Sequence, residues 1–154
     1  MSLADQLEDV RACVLHAASR DAVLQAAAGW LACEQAGADA IHASLQAREQ
    51  LGSTAIGHGI AIPHGRSAAL EAARGVLLRL EPAVDFDAAD GEAVDLVFAM
   101  AVPDHYTHQH LMVLSELAER FSRPEFRDAL RNAADASAMR NLLLDDTQLP
   151  KIAA

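Results

Sequence analysis

Aromatic residues and cysteine are scarce in this chain. Aromatic residues make up only 4% of the 154 residues, whereas 52% are hydrophobic, so the core must be built from Leu, Val, Ile and Ala. This much aliphatic material is enough for the core of one ordered domain. The two cysteines, Cys13 and Cys33, lie in apolar surroundings without a CxxC or zinc-type spacing. We interpret both as free thiols, and neither demands an oxidising compartment.

Positive charge is also in short supply, and long hydrophobic runs are missing. The chain has 12 Lys and Arg against 22 Asp and Glu, for a formal net charge of -10 at pH 7. Such a surface repels the phosphates of nucleic acids, and no basic stripe overrides the repulsion, so we expect no nucleic-acid partner. No apolar run approaches the length of a membrane span, and residues 1–9 carry acids where a signal peptide needs bases. We therefore expect a cytoplasmic protein without membrane insertion.

Apolar periodicity predicts helices that alternate with short strands. Helices are predicted over residues 21–35 (after Ser19 as N-cap), 39–50, 104–123, 124–132 and 135–144. Strands are predicted over residues 75–80 and 94–102, with 11–17 as a strand or a loop and 67–74 as a short helical turn. The nearly continuous apolar run over 94–102 is typical of a central strand covered on both faces. The pattern predicts a single layered α/β domain over residues 5–146, followed by a C-terminal tail over 147–154.

What the chain does have is a concentration of glycine around two histidines. Residues 48–65 hold four of the eight glycines, together with Arg48, two hydroxyl side chains and two histidines. Two β-prone pieces flank Gly57-His58-Gly59, which predicts a tight hairpin, and His64 directly follows a proline. Glycine lets a backbone approach a ligand closely, and proline restricts the chain around it. The segment therefore holds an imidazole in a defined place beside hydrogen-bond donors, which suits the handling of a phosphoryl group.

His64 is the candidate nucleophile of this segment. A neutral imidazole keeps one ring nitrogen free near pH 7 and is a good nucleophile. Arg48 is a candidate for stabilising a phosphoryl group as a bidentate donor, and Ser53 and Thr54 are candidate phosphate-binding donors. Other interpretations stay open at this point. His64 could be a solvated loop residue, Arg48 and Glu49 a solvated ion pair, and the two hydroxyls could serve in capping and turn formation.

A second group of histidines follows the predicted central strand. His105, His108 and His110 lie just past its end, where ligand sites gather in open α/β sheets, so the two histidine groups could meet in space. His110 could hydrogen-bond a neighbouring histidine or a phosphate oxygen, or it could be an ordinary residue of the helix surface. Zinc is the rival ligand, with Asp104 completing the donor set. However, His108 and His110 do not face the same side of a helix, so we expect no metal.

No other catalytic motif is present. The chain lacks HExxH, a GxGxxG after a strand, a Walker loop and a GxSxG elbow. We therefore expect no metal or nucleotide cofactor.

Three segments resemble one known family. Residues 48–64, which read REQLGSTAIGHGIAIPH, closely resemble the signature of the fructose/mannitol-type IIA domains of the bacterial phosphotransferase system. Residues 86–103 resemble the central strand of that family, and residues 110–118 resemble its second histidine helix. The resemblance implies an α/β sandwich with a mixed sheet flanked by helices. It also implies that His64 is the phosphorylated residue, that His110 supports it, and that Arg48 lies near the phosphoryl group.

The resemblance also implies partners. Members of the family accept a phosphoryl group from a small phosphocarrier protein of the HPr or NPr type, and they are components of phosphoryl transfer rather than stand-alone enzymes. They pass the group to a IIB domain or use their phosphorylation state as a signal. Without fused IIB or IIC regions, the chain most resembles the nitrogen-regulatory branch, whose targets would be proteins such as potassium transporters or sensor kinases. Ala55 and His58 depart from the Gly and Asn expected in that branch. The alternatives are a sugar-transport IIA component and a regulatory binding module with little phosphotransfer.

Overall fold

The computed structural model describes residues 3–105 and 107–145. Its helices and strands are, in chain order, α1 (Leu3–Gln6), β1 (Asp9–Leu15), α2 (Arg20–Leu31), α3 (Ala38–Leu51), β2 (Ala55–Gly57), β3 (Ile60–Ala61), β4 (His64–Ser67), β5 (Arg74–Val84), β6 (Val94–Pro103), α4 (Thr107–Phe121), α5 (Pro124–Arg131) and α6 (Ala136–Leu144). The predicted tail over residues 147–154 lies outside the described residues. None of the described helices is both long enough and apolar enough to cross a membrane.

The strands form one mixed sheet around β6. The strand order is β1-β5-β6-β3-β2, and β4 also pairs with β6. β6 is antiparallel to β5 and parallel to β3 and β4, while β1 and β5 are parallel. Every residue of β6 is buried except Asp95, which is half-buried, as the apolar run of the sequence predicted for a central strand. The predicted layered α/β fold with a mixed sheet is confirmed.

Helices cover both faces of the sheet because side chains alternate along its strands. On one face, α2 and α3 pack on Leu78 of β5 and Val97 of β6. On the other face, α4, α5 and α6 pack on Leu77 of β5 and Phe98 of β6. Each fully buried Leu, Val or Phe stabilises the fold by roughly 1.5–3 kcal/mol. This largely aliphatic core fixes the positions of α3 and α4, the two helices that flank the functional site.

Several predicted boundaries are confirmed by hydrogen bonds. The Ser19 side chain accepts a hydrogen bond from the Ala22 N–H and caps α2. Asp135 caps α6 in the same way through the Ala138 N–H. Pro124 occupies the first turn of α5, where its missing N–H costs no hydrogen bond. The hairpin predicted at residues 57–59 joins β2 to the antiparallel β3.

Three other boundaries were predicted wrongly because tertiary contacts set them. α2 ends at Leu31, whose carbonyl accepts a hydrogen bond from the Arg74 guanidinium. β5 continues through Pro82, since the register against β6 shifts there and no N–H is needed at that position. α4 begins only at Thr107, so that Asp104 and His105 lie in a turn before the helix.

The segment over residues 67–74 forms a hydrogen-bonded turn rather than a helix, with the Leu70 N–H bonded to the Ser67 carbonyl. Strand β4, just before this turn, was not predicted. It runs along β6 as a continuation of β3, and the two are separated at Pro63, whose carbonyl accepts a hydrogen bond from the Met100 N–H.

Candidate functional site

His64 is the first residue of β4 and lies at an edge of the sheet. Within the described part of the chain, β4 pairs with β6 alone. α3 approaches β4 so closely at Gly65 that a Cβ atom there would lie 2.6 Å from the Ser44 hydroxyl oxygen. Only glycine fits such an approach. This close approach places Arg48 of α3 near the edge of the sheet, where it lines the same groove as His64.

The hydrogen bonding of His64 leaves one ring nitrogen free. Its Nδ1 lies 2.9 Å from the Ile62 carbonyl oxygen, and because a carbonyl only accepts hydrogen bonds, Nδ1 must carry the proton. Nε2 then keeps its lone pair. Burial lowers the pKa of His64 below 6.5, against the effect of the Ile62 hydrogen bond, and the positive charges of Arg48 and Arg66 lower it further. The ring is therefore neutral at pH 7 and nucleophilic at Nε2.

The ring of His110, from the first turns of α4, packs on the ring of His64. The two ring centroids are 4.9 Å apart and the rings are inclined by 70°. Burial, followed by the neighbouring His64 and Arg66, lowers the pKa of His110 to about 4. Its Nδ1 is buried and has no hydrogen-bond partner among the described residues. A neutral ring with its proton on Nε2 avoids burying an unpaired N–H at Nδ1, and it gives the site an N–H donor.

The two histidines line an open groove of about 300 Å³ between α3 and β4. The groove is lined by Ser44, Ala47, Arg48, Leu51, His64, Gly65, Arg66 and His110. The half-buried Arg48 donates a hydrogen bond of 2.8 Å to the Gly52 carbonyl at the end of its own helix. Arg48 thus lines the same groove as His64, and its guanidinium has no carboxylate partner among the described residues.

Ser53 and Thr54 hold the loop beside this groove. The Ser53 hydroxyl donates to the Phe86 carbonyl and accepts from the Ala55 N–H. Thr54 is buried, and both its hydroxyl and its N–H donate to the Glu49 carboxylate. Both side chains line a depression that also contains Arg48 and His64. The predicted contact of these two hydroxyls with a phosphate stays a prediction, since the Ser53 hydroxyl already donates to Phe86 and the Thr54 hydroxyl to Glu49.

Glu49 is a residue whose place the sequence did not indicate. Together with Arg48 it had the alternative interpretation of a solvated ion pair, which is wrong for Glu49. Its side chain is only 4% exposed, and it lies 3.6 Å from Arg20 while it accepts both hydrogen bonds from Thr54. The buried carboxylate ties the last turn of α3 to the loop. The one sequence signal that could have indicated this bond is the hydroxyl residue Thr54, which lies five positions after Glu49.

The remaining histidines lie elsewhere. His58 is at the tip of the hairpin with φ 57°, a left-handed conformation in which Asn or Gly is more usual, and its N–H donates to Asp90. His105 lies in the turn before α4, and His108 is on the exposed side of that helix. Of the two histidine groups, the fold therefore brings His64 and His110 together. Within residues 3–105 and 107–145, no three His, Cys, Asp or Glu side chains are placed to hold a metal ion.

Known proteins resemble this chain over most of its length. Residues 6–146 match the family described as Phosphoenolpyruvate-dependent sugar phosphotransferase system, EIIA 2. A nitrogen regulatory protein of Pseudomonas aeruginosa is 42% identical over 129 residues, which cover 82% of this chain and 84% of the relative. A nitrogen regulatory protein of Escherichia coli is 40% identical over 111 residues, which cover 70% of this chain and 66% of the relative.

Solved structures agree with the sequence relatives. The crystal structure of Nitrogen Regulatory Protein IIA-Ntr from Neisseria meningitidis superposes with a TM-score of 0.82 at 37% identity, covering 87% of this chain and 92% of that one. The IIA mannitol structure from Escherichia coli, at 20% identity and a TM-score of 0.68, shares the fold and covers 86% of this chain and 95% of that one. The resemblance inferred from residues 48–64 is confirmed, and the chain belongs to the EIIA 2 family of the phosphoenolpyruvate-dependent sugar phosphotransferase system.

Proposed function

We propose that this protein is a phosphohistidine carrier that accepts a phosphoryl group on Nε2 of His64. One observation carries the proposal: the bond from His64 Nδ1 to the Ile62 carbonyl leaves a neutral ring with a free lone pair on Nε2, on a residue that lines an open groove. His110 supplies an N–H donor from the adjoining ring, and Arg48 supplies positive charge. Ser53 and Thr54 stabilise the conformation of the loop beside the phosphoryl group through their hydrogen bonds to Phe86 and Glu49.

The transfer step conserves protons and electrons. The lone pair of His64 Nε2 attacks the phosphorus of a phosphohistidine on the donor, and the new P–N bond forms as the donor's P–N bond breaks. The electron pair of the broken bond returns to the donor's ring nitrogen. Each imidazole keeps the proton on its other nitrogen, which on His64 is the Nδ1–H held by Ile62. No metal ion or nucleotide is needed, because the group arrives already activated on a phosphoprotein.

Arg48 and His110 then stabilise the phosphoryl group. The group carries close to two negative charges, and a guanidinium can bind it through two parallel N–H donors. Arg48 gives up only a hydrogen bond to the Gly52 carbonyl in order to do so, and it has no ion pair with any residue that the structure describes. The strongest contacts of Arg48 and His110 thus form only when the phosphoryl group is present. These residues therefore stabilise the group during its transfer and contribute little to the empty site.

The surroundings of the groove fit a protein donor. Leu51 is 85% exposed, Ile56 47% and Leu111 64%, and the first two line depressions that His64 also lines. Exposed apolar side chains near a reactive group are typical of a surface on which another protein docks. We therefore take the donor to be a small phosphocarrier of the HPr or NPr type, which the protein would meet in the cytoplasm.

The names of the related proteins favour a regulatory role for the phosphorylation of this protein. The Pseudomonas aeruginosa and Escherichia coli relatives both carry the name nitrogen regulatory protein, so we propose a role in nitrogen regulation, with targets such as a potassium transporter or a sensor kinase. The second candidate is transfer to a IIB domain. It is favoured by the shared fold of a IIA mannitol protein, which has been solved in complex with a phosphorylated IIB partner, at 19% identity.

Intact-mass measurement tests the carrier function. We expect that incubation with phosphoenolpyruvate, enzyme I and an HPr- or NPr-type carrier adds one acid-labile phosphate to the protein. His64→Ala should abolish the adduct. The matched control is His58→Ala, which removes the hairpin histidine of the same segment and should be phosphorylated like the wild type. Full labelling of His64→Ala would contradict the assignment.

A pull-down separates a signalling protein from a plain intermediate of transport. Wild type, His64→Ala and the charge mimic His64→Asp are compared for the proteins that they retain. A regulatory role predicts targets that differ between the two variants, whereas identical target sets would argue against a phosphorylation-dependent signal.

A further inference from the structure

We propose that Arg66 is a second phosphoryl-binding residue. Its side chain breaks its hydrogen bond to the Asp104 carbonyl and binds the phosphoryl group on His64 instead. The inference rests on the proposed carrier function and adds a residue and a movement to it. Arg66 lies two positions after His64 on β4, and alternate residues of a strand point to the same side. The residue between them, Gly65, faces α3 instead. The guanidinium of Arg66 therefore leaves the strand on the same side as the reactive ring.

The backbone of Arg66 is fixed while its side chain is exposed. In β4 the residue pairs with Val102 of β6, and its N–H donates a hydrogen bond of 2.9 Å to the Ser44 hydroxyl. The side chain lines the groove that also contains Arg48, His64 and His110. The groove thus has one arginine from α3 and another from β4, with the nucleophilic ring in the same depression.

Neither arginine is neutralised. Arg66 donates a hydrogen bond of 3.0 Å to the Asp104 carbonyl, as Arg48 does to the Gly52 carbonyl, and neither has a carboxylate within ion-pair distance among the described residues. Elsewhere in the structure, Arg74 and Arg131 pair with aspartates, whereas Arg127 and Arg140 donate to the carbonyls of Phe121 and Val10. Arg48 and Arg66 differ from these because they line one groove together with His64. Two uncompensated guanidinium groups in one groove are what a doubly charged phosphoryl group requires.

The charge of Arg66 already acts on both rings. Its positive charge contributes to lowering the pKa of His64 and the pKa of His110. The same field would favour a negative group on His64 Nε2. A guanidinium binds a negatively charged phosphoryl oxygen more strongly than a neutral carbonyl oxygen, so the exchange of the Asp104 carbonyl for the phosphoryl group is favourable.

Transfer kinetics test the role of Arg66. Arg66→Ala and Arg66→Gln should slow transfer from a phosphorylated HPr-type carrier about tenfold or more, the effect of losing one hydrogen bond to a charged group. Arg66→Lys keeps the charge and should recover most of that rate. The matched control is Arg11→Ala, since Arg11 is exposed on β1 and pairs with Asp9 away from the groove; its rate should equal that of the wild type. An Arg66→Ala rate equal to that of the wild type overturns the inference.

A measurement on the isolated phosphoprotein separates phosphoryl binding from docking of the donor. The second ionisation of the phosphoryl group is followed by 31P NMR as a function of pH. A nearby positive charge favours the dianion, so the pKa of the phosphoryl group should be higher in Arg66→Ala than in the wild type and restored by Arg66→Lys. An unchanged 31P titration together with slow transfer would mean that Arg66 contacts only the donor, and would overturn the inference. Labelling of His64→Ala would instead contradict the proposed function itself.

Discussion

The reactivity of this site is set by single residues that surround an uncharged imidazole. His64 is oriented by a carbonyl two residues before it, and His110 is buried against its ring. Burial lowers the pKa of both rings. Two neutral histidines side by side avoid the repulsion between two imidazolium ions. The positive charge of the groove then comes from the arginines alone.

The buried His110 predicts a dependence of stability on pH. In the unfolded chain an imidazole takes up its proton near pH 6.5, whereas in the folded protein the pKa of His110 is about 4. Its contribution to stability is therefore fully present above pH 6.5 and is lost as the pH falls from 6.5 to about 4. Between pH 7 and about 5, the free energy of unfolding of the wild type should fall by about 1–2 kcal/mol more than that of His110→Gln.

Urea unfolding at the two pH values measures this difference. The matched control is His108→Gln, because His108 is exposed on the same helix, and that variant should keep the pH dependence of the wild type. If the free energy of unfolding changed equally with pH in His110→Gln and in the wild type, His110 would not be buried in its neutral form.

At the scale of elements, the site depends on how closely α3 approaches β4. Gly65 permits this approach, and the Glu49–Thr54 hydrogen bonds tie the end of α3 to the loop that precedes β2. Arg48 lies in the last turn of the same helix, one residue before Glu49. The position of the guanidinium is therefore a property of the packing of α3, and a change far from the reactive atom can displace it.

The substitution Gly65→Ala tests this packing. Its Cβ would lie 2.6 Å from the Ser44 hydroxyl oxygen and 3.2 Å from the Leu45 nitrogen, so α3 must shift. We expect a loss of about 1–3 kcal/mol in the free energy of unfolding, the range for overpacked sites, and slower phosphorylation because Arg48 moves with its helix. Thermal or urea unfolding and the rate of phosphorylation measure the two effects.

Gly29→Ala is the matched control for this substitution. Gly29 lies inside α2, and nothing lies within 4 Å of the position of its Cβ. The control should be as stable as the wild type or more stable by about 0.5–1 kcal/mol. If Gly65→Ala behaved like Gly29→Ala, the close approach of α3 would not be a requirement of the site.

The elements differ in how far the sequence could predict them. Helices α2 to α6 and strand β6 carry strong periodicity or a continuous apolar run, so their presence was predictable, whereas the four-residue α1 was not predicted. β4 was not, because its residues His, Gly, Arg and Ser have no β-prone pattern, and it exists through its pairing with β6. For the same reason Arg66 was not a candidate, since its nearness to His64 follows from that strand. His64, His110 and Arg48 were candidates because they lie in motifs, and the fold does bring them together.

At the scale of the whole molecule, a positive groove lies in an acidic protein. The net charge of -10 repels free anions from most of the surface, whereas Arg48 and Arg66 reverse the sign of the charge locally, beside exposed apolar side chains. Such a surface favours a phosphoryl group that arrives on a docked protein over one that diffuses in as a small anion. The fold, the two helices that flank β4 and the two histidines together support the carrier function.

The central claim is that Nε2 of His64 carries the phosphoryl group while Nδ1 keeps its proton for the Ile62 carbonyl. Heteronuclear NMR of the 15N-labelled phosphoprotein tests it most directly, because coupling to 31P identifies the ring nitrogen that is bonded to phosphorus. We predict coupling at Nε2 of His64 and an N–H signal at its Nδ1. Phosphorus bonded to Nδ1 of His64, or to any other histidine, would contradict the account.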